Sequence, residues 1–347
     1  MASTAPVLLV TMGDPAGVGP EIAVQALSEP ELRERAVPVF VGSAKTLVAA
    51  AEMLNAPVQV RPISDLQEAR DFPATVLPVW EPEGVHGEYP RGKVDAQCGE
   101  AGYRCIEASI RMTMAGQAAA VVTNPIHKQA LHLAGHHYPG HTEIFRDLTG
   151  AESSAMMLVE GGLRVSHVST HVSLRQAIER CKRARILTVL RLTHAALQRV
   201  GIESPRLGLA ALNPHASEGG LFGDEEEKEI LPAAQDARAE GMDVSDPLPA
   251  DTIFSLARGG RFDAVVAQYH DQGHIPVKLL GFHYNDDTGR WSSVSGINVT
   301  LGLPMLRVSV DHGTAFDQAW KGTASPESLR NALDFAIAMT TGTALSR

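Results

Sequence analysis

The sequence predicts an α/β fold with a largely parallel sheet, because short β-branched segments alternate with helical patterns along the chain. A turn rich in Gly or Pro separates segment from helix in most of these units. Its 347 residues exceed one ordinary domain of about 100–200 residues, so two domains are expected. Hydrophobic residues make up 44% and charged residues 20%, which is typical of a globular protein with a large core and excludes a disordered or fibrous chain.

The predicted elements follow in order from the first strand, at residues 7–11. This strand leads through a Gly-rich turn to a helix near 21–27, where Pro20 suits the first helical position because no N–H is needed there. Further strands are expected at 37–41, 118–123, 163–170, 207–212, 264–268 and 305–310. Further helices are expected at 44–54 after the cap Ser43, at 173–200 with a break near 182–185, at 225–240, and at 326–341 after the cap Ser325.

The charge balance limits the partners. The chain has 30 Lys and Arg against 40 Asp and Glu, a net charge of -10, and nucleic acid is bound through clustered positive charge. An anionic small molecule remains possible where a pocket is locally basic. The apolar run at residues 7–10 is too short for a signal peptide or a membrane span, so a cytoplasmic protein without membrane or nucleic-acid partners is expected.

Several polar residues follow predicted strands directly: Asp14, Asn124, His171, His215 and His270. In open α/β sheets ligands bind where loops leave the carboxyl ends of the strands. Three neutral imidazoles from three separate loops form an open site for a divalent metal, although a single loop histidine is usually structural. The other histidines of the 14 are expected to be ordinary, with the exception of His141.

Two segments could bind an anion. The loop at residues 13–21 is rich in glycine but is neither GxGxxG nor GxxxxGKS, so its glycines serve either a ligand or a tight turn. His141 and Thr142 follow Pro139-Gly140 and open a helix, where a ring nitrogen, a hydroxyl and free N–H groups would form an anion cradle. Capping of the helix by Thr142 alone is the alternative.

Seven motifs resemble, in order and over nearly the whole chain, those of the 4-hydroxythreonine-4-phosphate dehydrogenases. They read VTMGDPAGVGPE at 10–21, PGHTE at 139–143, NPH at 213–215, PLPADT at 247–252, YHDQG at 269–273, NVTLGLP at 298–304 and VDHGTA at 310–315.

The resemblance implies a fold similar to isocitrate and isopropylmalate dehydrogenases, with two α/β domains around an active-site cleft. Residues 1–130 and about 300–347 would form the domain with the Gly-rich loop and an adenosine loop for NAD. Residues from about 131 to 300 would form the second domain, with the metal-binding histidines and the dimer contacts. A homodimer with the site near the subunit interface is implied as well.

The resemblance also implies roles for individual residues. His171, His215 and His270 would bind one divalent ion, which could be Zn, Mg, Mn or Co. Contacts to the phosphorylated substrate are implied for His141, Thr142, Lys278, Asn298 and Arg307. Contacts to the cofactor are implied for Asp14, Gly17, Gly19, His312, Gly313, Thr314, Ala315 and Asp317. A carboxylate at 317 would accept hydrogen bonds from ribose hydroxyls and repel a 2′-phosphate, so NAD is expected rather than NADP.

The implied reaction oxidises the 3-hydroxyl of a four-carbon hydroxy acid phosphorylated at C4, and the 3-keto acid then loses CO2. The substrate would be 4-hydroxythreonine-4-phosphate or the 4-phospho-D-threonate or 4-phospho-D-erythronate of the catabolic relatives. An insertion at 283–295 and the wording of 270–276 resemble those catabolic relatives, while Asp246 stands where the family usually has Gly. Lys278 and Asp251 are alternative general bases.

Three other functions remain open. A metal-dependent sugar-phosphate hydrolase or aldolase could use the same histidines but would not reduce NAD. A phosphometabolite-binding regulator would show no metal-dependent turnover. A cis-dihydrodiol dehydrogenase acting on an aromatic dicarboxylate would have little need of a phosphate cradle at His141 and Thr142.

Overall fold

The computed structural model of the chain describes residues 5–286 and 290–343. These residues form two compact units. The first unit contains the described residues up to Glu152 together with Leu303–Thr341, and the second contains Ser153–Gly302 with the described residues after 341. Within the described residues, helices are too short or too polar to cross a membrane.

The strands, in chain order, are β1 (Val7–Thr11), β2 (Val37–Val41), β3 (Gln59–Pro62), β4 (Val76–Trp80), β5 (Ala120–Thr123), β6 (Ala155–Glu160), β7 (Leu163–His167), β8 (Arg206–Ala210), β9 (Asp243–Leu248), β10 (Ala264–Ala267), β11 (Phe282–Asn285), β12 (Arg290–Val294), β13 (Ile297–Leu301) and β14 (Leu306–Val310). The helices are α1 (Gly19–Leu27), α2 (Pro30–Arg35), α3 (Ala44–Met53), α4 (Ala96–Met114), α5 (Lys128–Leu133), α6 (His141–Thr149), α7 (Leu174–Arg180), α8 (Arg183–Arg199), α9 (Leu231–Ala239), α10 (Ala250–Arg258), α11 (His270–Gly281) and α12 (Glu327–Thr341).

In the first unit the strands lie in the order β3-β4-β2-β1-β5-β14, and every neighbouring pair is parallel. Strands β1, β2, β5 and β14 are buried at every position. Strands β1, β2 and β5 are largely apolar, as expected of parallel strands covered on both faces, whereas β14 alternates apolar residues with the buried Arg307 and Ser309. The α/β prediction is confirmed for this unit.

In the second unit the strands lie in the order β13-β6-β7-β10-β8-β9. The pairs β7–β10, β10–β8 and β8–β9 are parallel, whereas β6 runs antiparallel to both of its neighbours, β13 and β7. The apolar residues Leu158, Val165, Ile253 and Val277 belong to one buried cluster, so the core holds helices α10 and α11 against the sheet. The antiparallel pair β11–β12 falls in the expected insertion, of which residues 287–289 lie outside the described residues.

The predicted caps and the predicted helix break are confirmed. The Ser43 hydroxyl accepts a hydrogen bond from the Thr46 backbone N–H at 3.3 Å, and the Ser325 hydroxyl accepts one from the Glu327 N–H at 3.3 Å. The helical region after Ser173 divides into α7 and α8. The helix expected at 225–240 instead begins with a π-helical turn before α9, whose second residue is Pro232. Proline lacks the N–H that would continue the hydrogen-bond ladder, which explains this division.

The expectation of a loop at His270 is wrong, since α11 begins at this residue. Gly273 and Pro276 lie within the helix, and both are poor helix formers. The helix is held by tertiary packing of residues such as Val277, which local sequence does not reveal.

Candidate functional site

The predicted site residues fall in both units. The first unit holds Asp14, Gly17, Gly19, His141, Thr142, Arg307, His312, Gly313, Thr314, Ala315 and Asp317. The second unit holds His171, His215, Asp251, His270, Lys278 and Asn298.

His171 and His270 lie together in the second unit. Both line a cavity of about 560 Å³ formed by residues 170–174, 176–177 and 269–271, which follow β7 and β10. Their ring centroids are 5.7 Å apart. Two imidazoles bound to one tetrahedral ion at the usual Zn–N distance of about 2.0–2.1 Å have centroids roughly 5–6 Å apart, so this pair can share a metal ion.

The orientation of His270 is also suited to a metal ligand. Its Nδ1 lies 2.7 Å from Oδ1 of Asp271, and a carboxylate can only accept, so Nδ1 carries the proton and Nε2 presents its lone pair. A carboxylate that holds the second nitrogen of a ligating histidine is a common feature of metal sites. Sequence reasoning assigned no role to Asp271, although its place next to His270 in YHDQG was the available signal.

His215 is not brought into this group. No set of three His, Cys, Asp or Glu side chains close enough to hold a metal ion occurs within residues 5–286 and 290–343. His215 is exposed, and it begins four consecutive non-Gly residues with positive φ, 54°, 52°, 60° and 45° at positions 215–218. Each such residue costs on the order of 1–3 kcal/mol, so the surrounding structure must hold this turn in place.

The carboxylate of Glu226 holds the entrance of that turn. Its Oε1 accepts hydrogen bonds from the N–H groups of Leu212 and Asn213, both at 2.8 Å, and its Oε2 accepts one from Asn213 Nδ2 at 2.9 Å. Glu226 is buried, so these bonds form in a medium of low dielectric constant. Sequence reasoning missed this residue because it follows Asn213 by thirteen positions and lies in a charged run.

His167 and His274, for which no chemical role was expected, lie next to His270. The His274 ring stacks on the His270 ring with centroids 3.6 Å apart and planes 12° apart, and His274 Nδ1 lies 3.1 Å from His167 Nε2. Burial first, and neighbouring histidines second, lower the pKa of His167 to about 3 and that of His274 to about 4. Both rings are therefore neutral at neutral pH. The four-residue spacing of His270 and His274 on a helix was the missed signal.

The remaining candidates of the second unit lie on three elements. Lys278 lies two turns along α11 from His270, with its Nζ 4.5 Å from the centre of the Phe282 ring. Asn298 lies on β13, paired with Leu158 of β6. Asp251 is exposed in the first turn of α10. Lys278 therefore shares helix α11 with His270, whereas Asp251 lies on α10.

In the first unit Arg307 and His141 lie close together. Arg307 is only 2% exposed, and its Nη2 donates to the Thr123 hydroxyl at 2.8 Å. Burial lowers the pKa of Arg307 to about 9, opposed by Glu143, so its guanidinium is charged at neutral pH. Burial and then Arg307 lower the pKa of His141 well below its ordinary value, so this imidazole is neutral. The pair supplies one positive charge and one neutral ring.

His141 begins α6, and the start of this helix has no side-chain cap. The N-cap residue is Gly140, and Thr142 lies inside the first turn, so the alternative that Thr142 caps the helix is wrong. The first N–H groups of a helix carry partial positive charge and bind anions. The beginning of this nine-residue helix can therefore contribute to an anion site beside Arg307.

A smaller pocket of about 220 Å³ in the first unit contains His141 and His312. His312 Nδ1 donates to the Gly313 carbonyl at 2.9 Å, which leaves its buried Nε2 as an acceptor. Asn124, which also lines the pocket, donates through Nδ2 to the Thr11 carbonyl at 3.0 Å. Its Oδ1 and the His312 Nε2 are buried without a hydrogen-bond partner among the described residues, so the pocket favours a ligand that donates hydrogen bonds.

The Gly-rich loop packs against protein backbone. A Cβ on Gly17 would lie 2.8 Å from the Thr314 carbonyl oxygen, and one on Gly19 would lie 2.4 Å from that of Met12. The Val18 N–H donates to the Thr314 carbonyl at 3.1 Å. The absence of side chains at Gly17 and Gly19 therefore allows the loop at 13–19 to pack closely against the protein backbone, including the predicted adenosine loop at Thr314. This close packing in a tight turn explains the two glycines without a ligand.

Asp14 and Asp317 differ sharply in exposure. Asp14 is 1% exposed, and its Oδ1 accepts the Ala16 N–H at 2.9 Å. Burial, helped by Asp95, raises the pKa of Asp14 to about 6 despite the Ala16 hydrogen bond. Asp317 is exposed just after Ala315, whose φ is 43°, so its carboxylate is accessible to a ligand.

Known proteins resemble the chain in sequence over most of its length. The family model described as pyridoxal phosphate biosynthetic protein PdxA matches residues 34–336. D-threonate 4-phosphate dehydrogenase of Salmonella typhimurium is 46% identical, covering 94% of this chain and 97% of its own. 4-Hydroxythreonine-4-phosphate dehydrogenase of Geobacter metallireducens is 43% identical, covering 98% and 97%.

A crystal structure of 4-hydroxythreonine-4-phosphate dehydrogenase from Klebsiella pneumoniae superposes with a TM-score of 0.83 at 42% identity, covering 97% of this chain and 100% of that one. The expected isocitrate and isopropylmalate dehydrogenase-like fold is thereby confirmed. The family model, the full-length relatives and the superposed crystal structure all agree. The chain therefore belongs to the PdxA family of dehydrogenases.

Proposed function

We propose that the chain is an NAD-dependent and divalent-metal-dependent dehydrogenase acting on a four-carbon hydroxy acid phosphorylated at C4. The buried Arg307 carries this proposal. Its guanidinium is 2% exposed and charged at neutral pH, so it attracts an anionic ligand, and the neutral His141 and the uncapped start of α6 lie beside it. A phosphate group satisfies all three, because it accepts charge-assisted hydrogen bonds from guanidinium, imidazole and backbone N–H groups. Thr142 adds a hydroxyl in the same turn.

Among the possible substrates we favour 4-phospho-D-threonate, the hydroxy acid with hydroxyl rather than ammonium at C2. The Salmonella relative of that name is 46% identical to this chain, against 43% for the Geobacter relative named for 4-hydroxythreonine-4-phosphate. 4-Phospho-D-erythronate, which differs in stereochemistry, would use the same phosphate contacts.

The residues fit the implied metal ion and cofactor. His171 and His270 offer imidazole nitrogens at a suitable separation, with His270 oriented by Asp271. His215 is the third histidine of the proposed set. The divalent ion, when bound, supplies Lewis-acid polarisation of the substrate oxygen. In the first unit, His312 and Asp317 would contact the adenosine of NAD, with the docked loop at 13–19 beneath them.

The chemistry required of the chain is proton removal and positioning. Oxidation moves a hydride from C3 to NAD, while the proton of the 3-hydroxyl passes to a base; the 3-keto acid then loses CO2 as the C1–C2 bond breaks and C2 takes up a proton. Lys278 is our preferred base because it lies on the helix that begins at His270. Asn298, on β13, would hold the substrate carboxylate or phosphate oxygens.

A homodimer is part of the proposal. Ile275 and Leu279, one turn apart on α11, are 64% and 76% exposed. Leu174 and Ile178, one turn apart on α7, are 61% and 41% exposed. Paired apolar side chains on two helices near the proposed metal site support a protein interface, because monomers rarely expose contiguous apolar patches.

The test is NADH formation, followed by absorbance, with 4-hydroxythreonine-4-phosphate, 4-phospho-D-threonate and 4-phospho-D-erythronate in parallel, each with and without Mg²⁺, Mn²⁺, Co²⁺ or Zn²⁺. We expect metal-dependent turnover, fastest with 4-phospho-D-threonate. Arg307→Ala should lower kcat/KM roughly 10- to 100-fold, the value of a hydrogen bond to a charged group. His132→Ala, an exposed position on α5, is the control. Phosphate release without NADH, or turnover indifferent to Arg307, would contradict the proposal.

A further inference from the structure

We infer that His274 is a positioning residue that holds the His270 ring in place for the metal ion. The inference rests on the proposed function, because it concerns one of the proposed metal ligands. The two rings are stacked, with centroids 3.6 Å apart and planes 12° apart. Since residues four apart share one face of a helix, the stack is built into α11 itself.

His274 is held by an ordered set of hydrogen bonds. His167 Nδ1 lies 3.3 Å from the Met156 carbonyl, and His274 Nδ1 lies 2.9 Å from the His270 carbonyl. Carbonyls only accept, so each Nδ1 carries a proton. His167 Nε2, 3.1 Å from His274 Nδ1, is then the unprotonated acceptor of a shared hydrogen bond. Both rings are neutral, and each has one defined tautomer.

The His167 side chain is tightly packed, so its ring is held in one position. His167 is 0% exposed, and a Cβ on Gly273 would lie 2.3 Å from its Nε2. The absence of a side chain at Gly273 therefore creates the space in which the two histidines meet. His167 also lies on β7, so the hydrogen bond fastens α11 to the sheet.

The arrangement is suited to support rather than to direct ligation. A metal ion lies close to the plane of each imidazole that binds it, and two rings stacked 3.6 Å apart with planes 12° apart cannot both direct a nitrogen at one ion. The ring of His270 is instead confined from two sides: Asp271 binds its Nδ1, and His274 covers its face. A ring so confined loses little rotational freedom on binding a metal. Loss of an outer-shell partner of this kind typically weakens metal binding by about 10- to 100-fold.

Two double variants separate the stack from the hydrogen bonds. H167L/H274F removes both polar partners but keeps an aromatic ring over His270, whereas H167L/H274L removes the ring as well. Removing both partners together avoids leaving a buried unpaired nitrogen. The dissociation constant for Co²⁺ is measured on the metal-free protein by competition with a chelating dye, together with the visible spectrum of the bound Co²⁺. Circular dichroism and the melting temperature of the metal-free forms establish folding, with His194→Leu on α8 as the control.

We expect H167L/H274F to bind Co²⁺ within about threefold of the wild type, and H167L/H274L to bind at least about tenfold more weakly with an altered spectrum. Equal affinity and equal spectra for two folded double variants would overturn the inference. Equal weakening of both, with His194→Leu unaffected, would overturn it as well, because the ring would then be irrelevant. If the wild type binds no Co²⁺, or if His270→Ala binds it as tightly, the proposed metal site itself fails, and this result is distinct from the others.

Discussion

Replacing Asp14 by Asn should remove a pH dependence of stability that this single buried carboxyl group creates. Asp14 is 1% exposed; its Oδ1 accepts the Ala16 N–H, and its Oδ2 is buried without a partner among the described residues. Transfer of a carboxylate from water to such a place is costly, and this desolvation raises the pKa from 3.8 to about 6. Asparagine has the shape of the protonated acid and keeps the acceptor for Ala16.

The sign and size follow from proton linkage. Between the unfolded pKa of 3.8 and the folded pKa of about 6, the folded state binds more protons than the unfolded state. The stabilisation is therefore complete below 3.8, falls as pH rises, and is lost above about 6. A shift of about two units corresponds to about 3 kcal/mol in total. Roughly half of this, on the order of 1.5 kcal/mol, is lost between about pH 5 and pH 7.5.

The assay is urea unfolding of wild type and Asp14→Asn at these two pH values, followed by circular dichroism. From the lower to the higher pH, the wild type should lose about 1.5 kcal/mol more of its unfolding free energy than Asp14→Asn does. Asp71→Asn, at an exposed position of the same unit, should show no such change. If wild type and Asp14→Asn respond to pH in parallel, the burial argument for Asp14 is refuted.

Three further predictions concern packing and assembly. Gly17→Ala would place a Cβ 2.8 Å from the Thr314 carbonyl oxygen, so we expect a loss of about 1–3 kcal/mol in unfolding free energy, measured by urea titration. An unchanged urea midpoint would show that the loop at 13–19 can move away from the loop at Thr314 at no cost. Gly273→Ala would place a Cβ 2.3 Å from His167 Nε2 and should lower the melting temperature, whereas Gly162→Ala, with open space around its Cβ, should not; equal melting temperatures would contradict the packing of the histidine pair. The double variant I275D/L279D should be monomeric by light scattering while the wild type is dimeric, and L133D, at an exposed leucine of the first unit, should remain dimeric; a dimer in the first variant would exclude α11 from the interface.

Much of the fold could be predicted because its signals are local. Strands β1, β2, β5 and β10 are largely apolar runs, and β14 alternates apolar and polar residues. The caps Ser43 and Ser325 and the division between α7 and α8 are readable from cap residues and a break in the pattern. Each depends only on residues within one or two turns of one another. Helix α11 was missed because Gly273 and Pro276 weaken its local signal, and it forms because its apolar side packs on the second unit's core.

The candidate site divides in the same way. The fold class, the family resemblance and the placement of His171 and His270 near strand ends could be predicted from the amino-acid sequence, because motif order and strand ends are properties of the linear chain. Three contacts could be seen only in the folded chain: His274 meets His167, 107 residues away, Glu226 holds the turn at His215, and Gly17 packs on Thr314. Such contacts depend on which strands become neighbours and on the space left between them, and burial then decides which groups, such as Arg307 and His141, are charged.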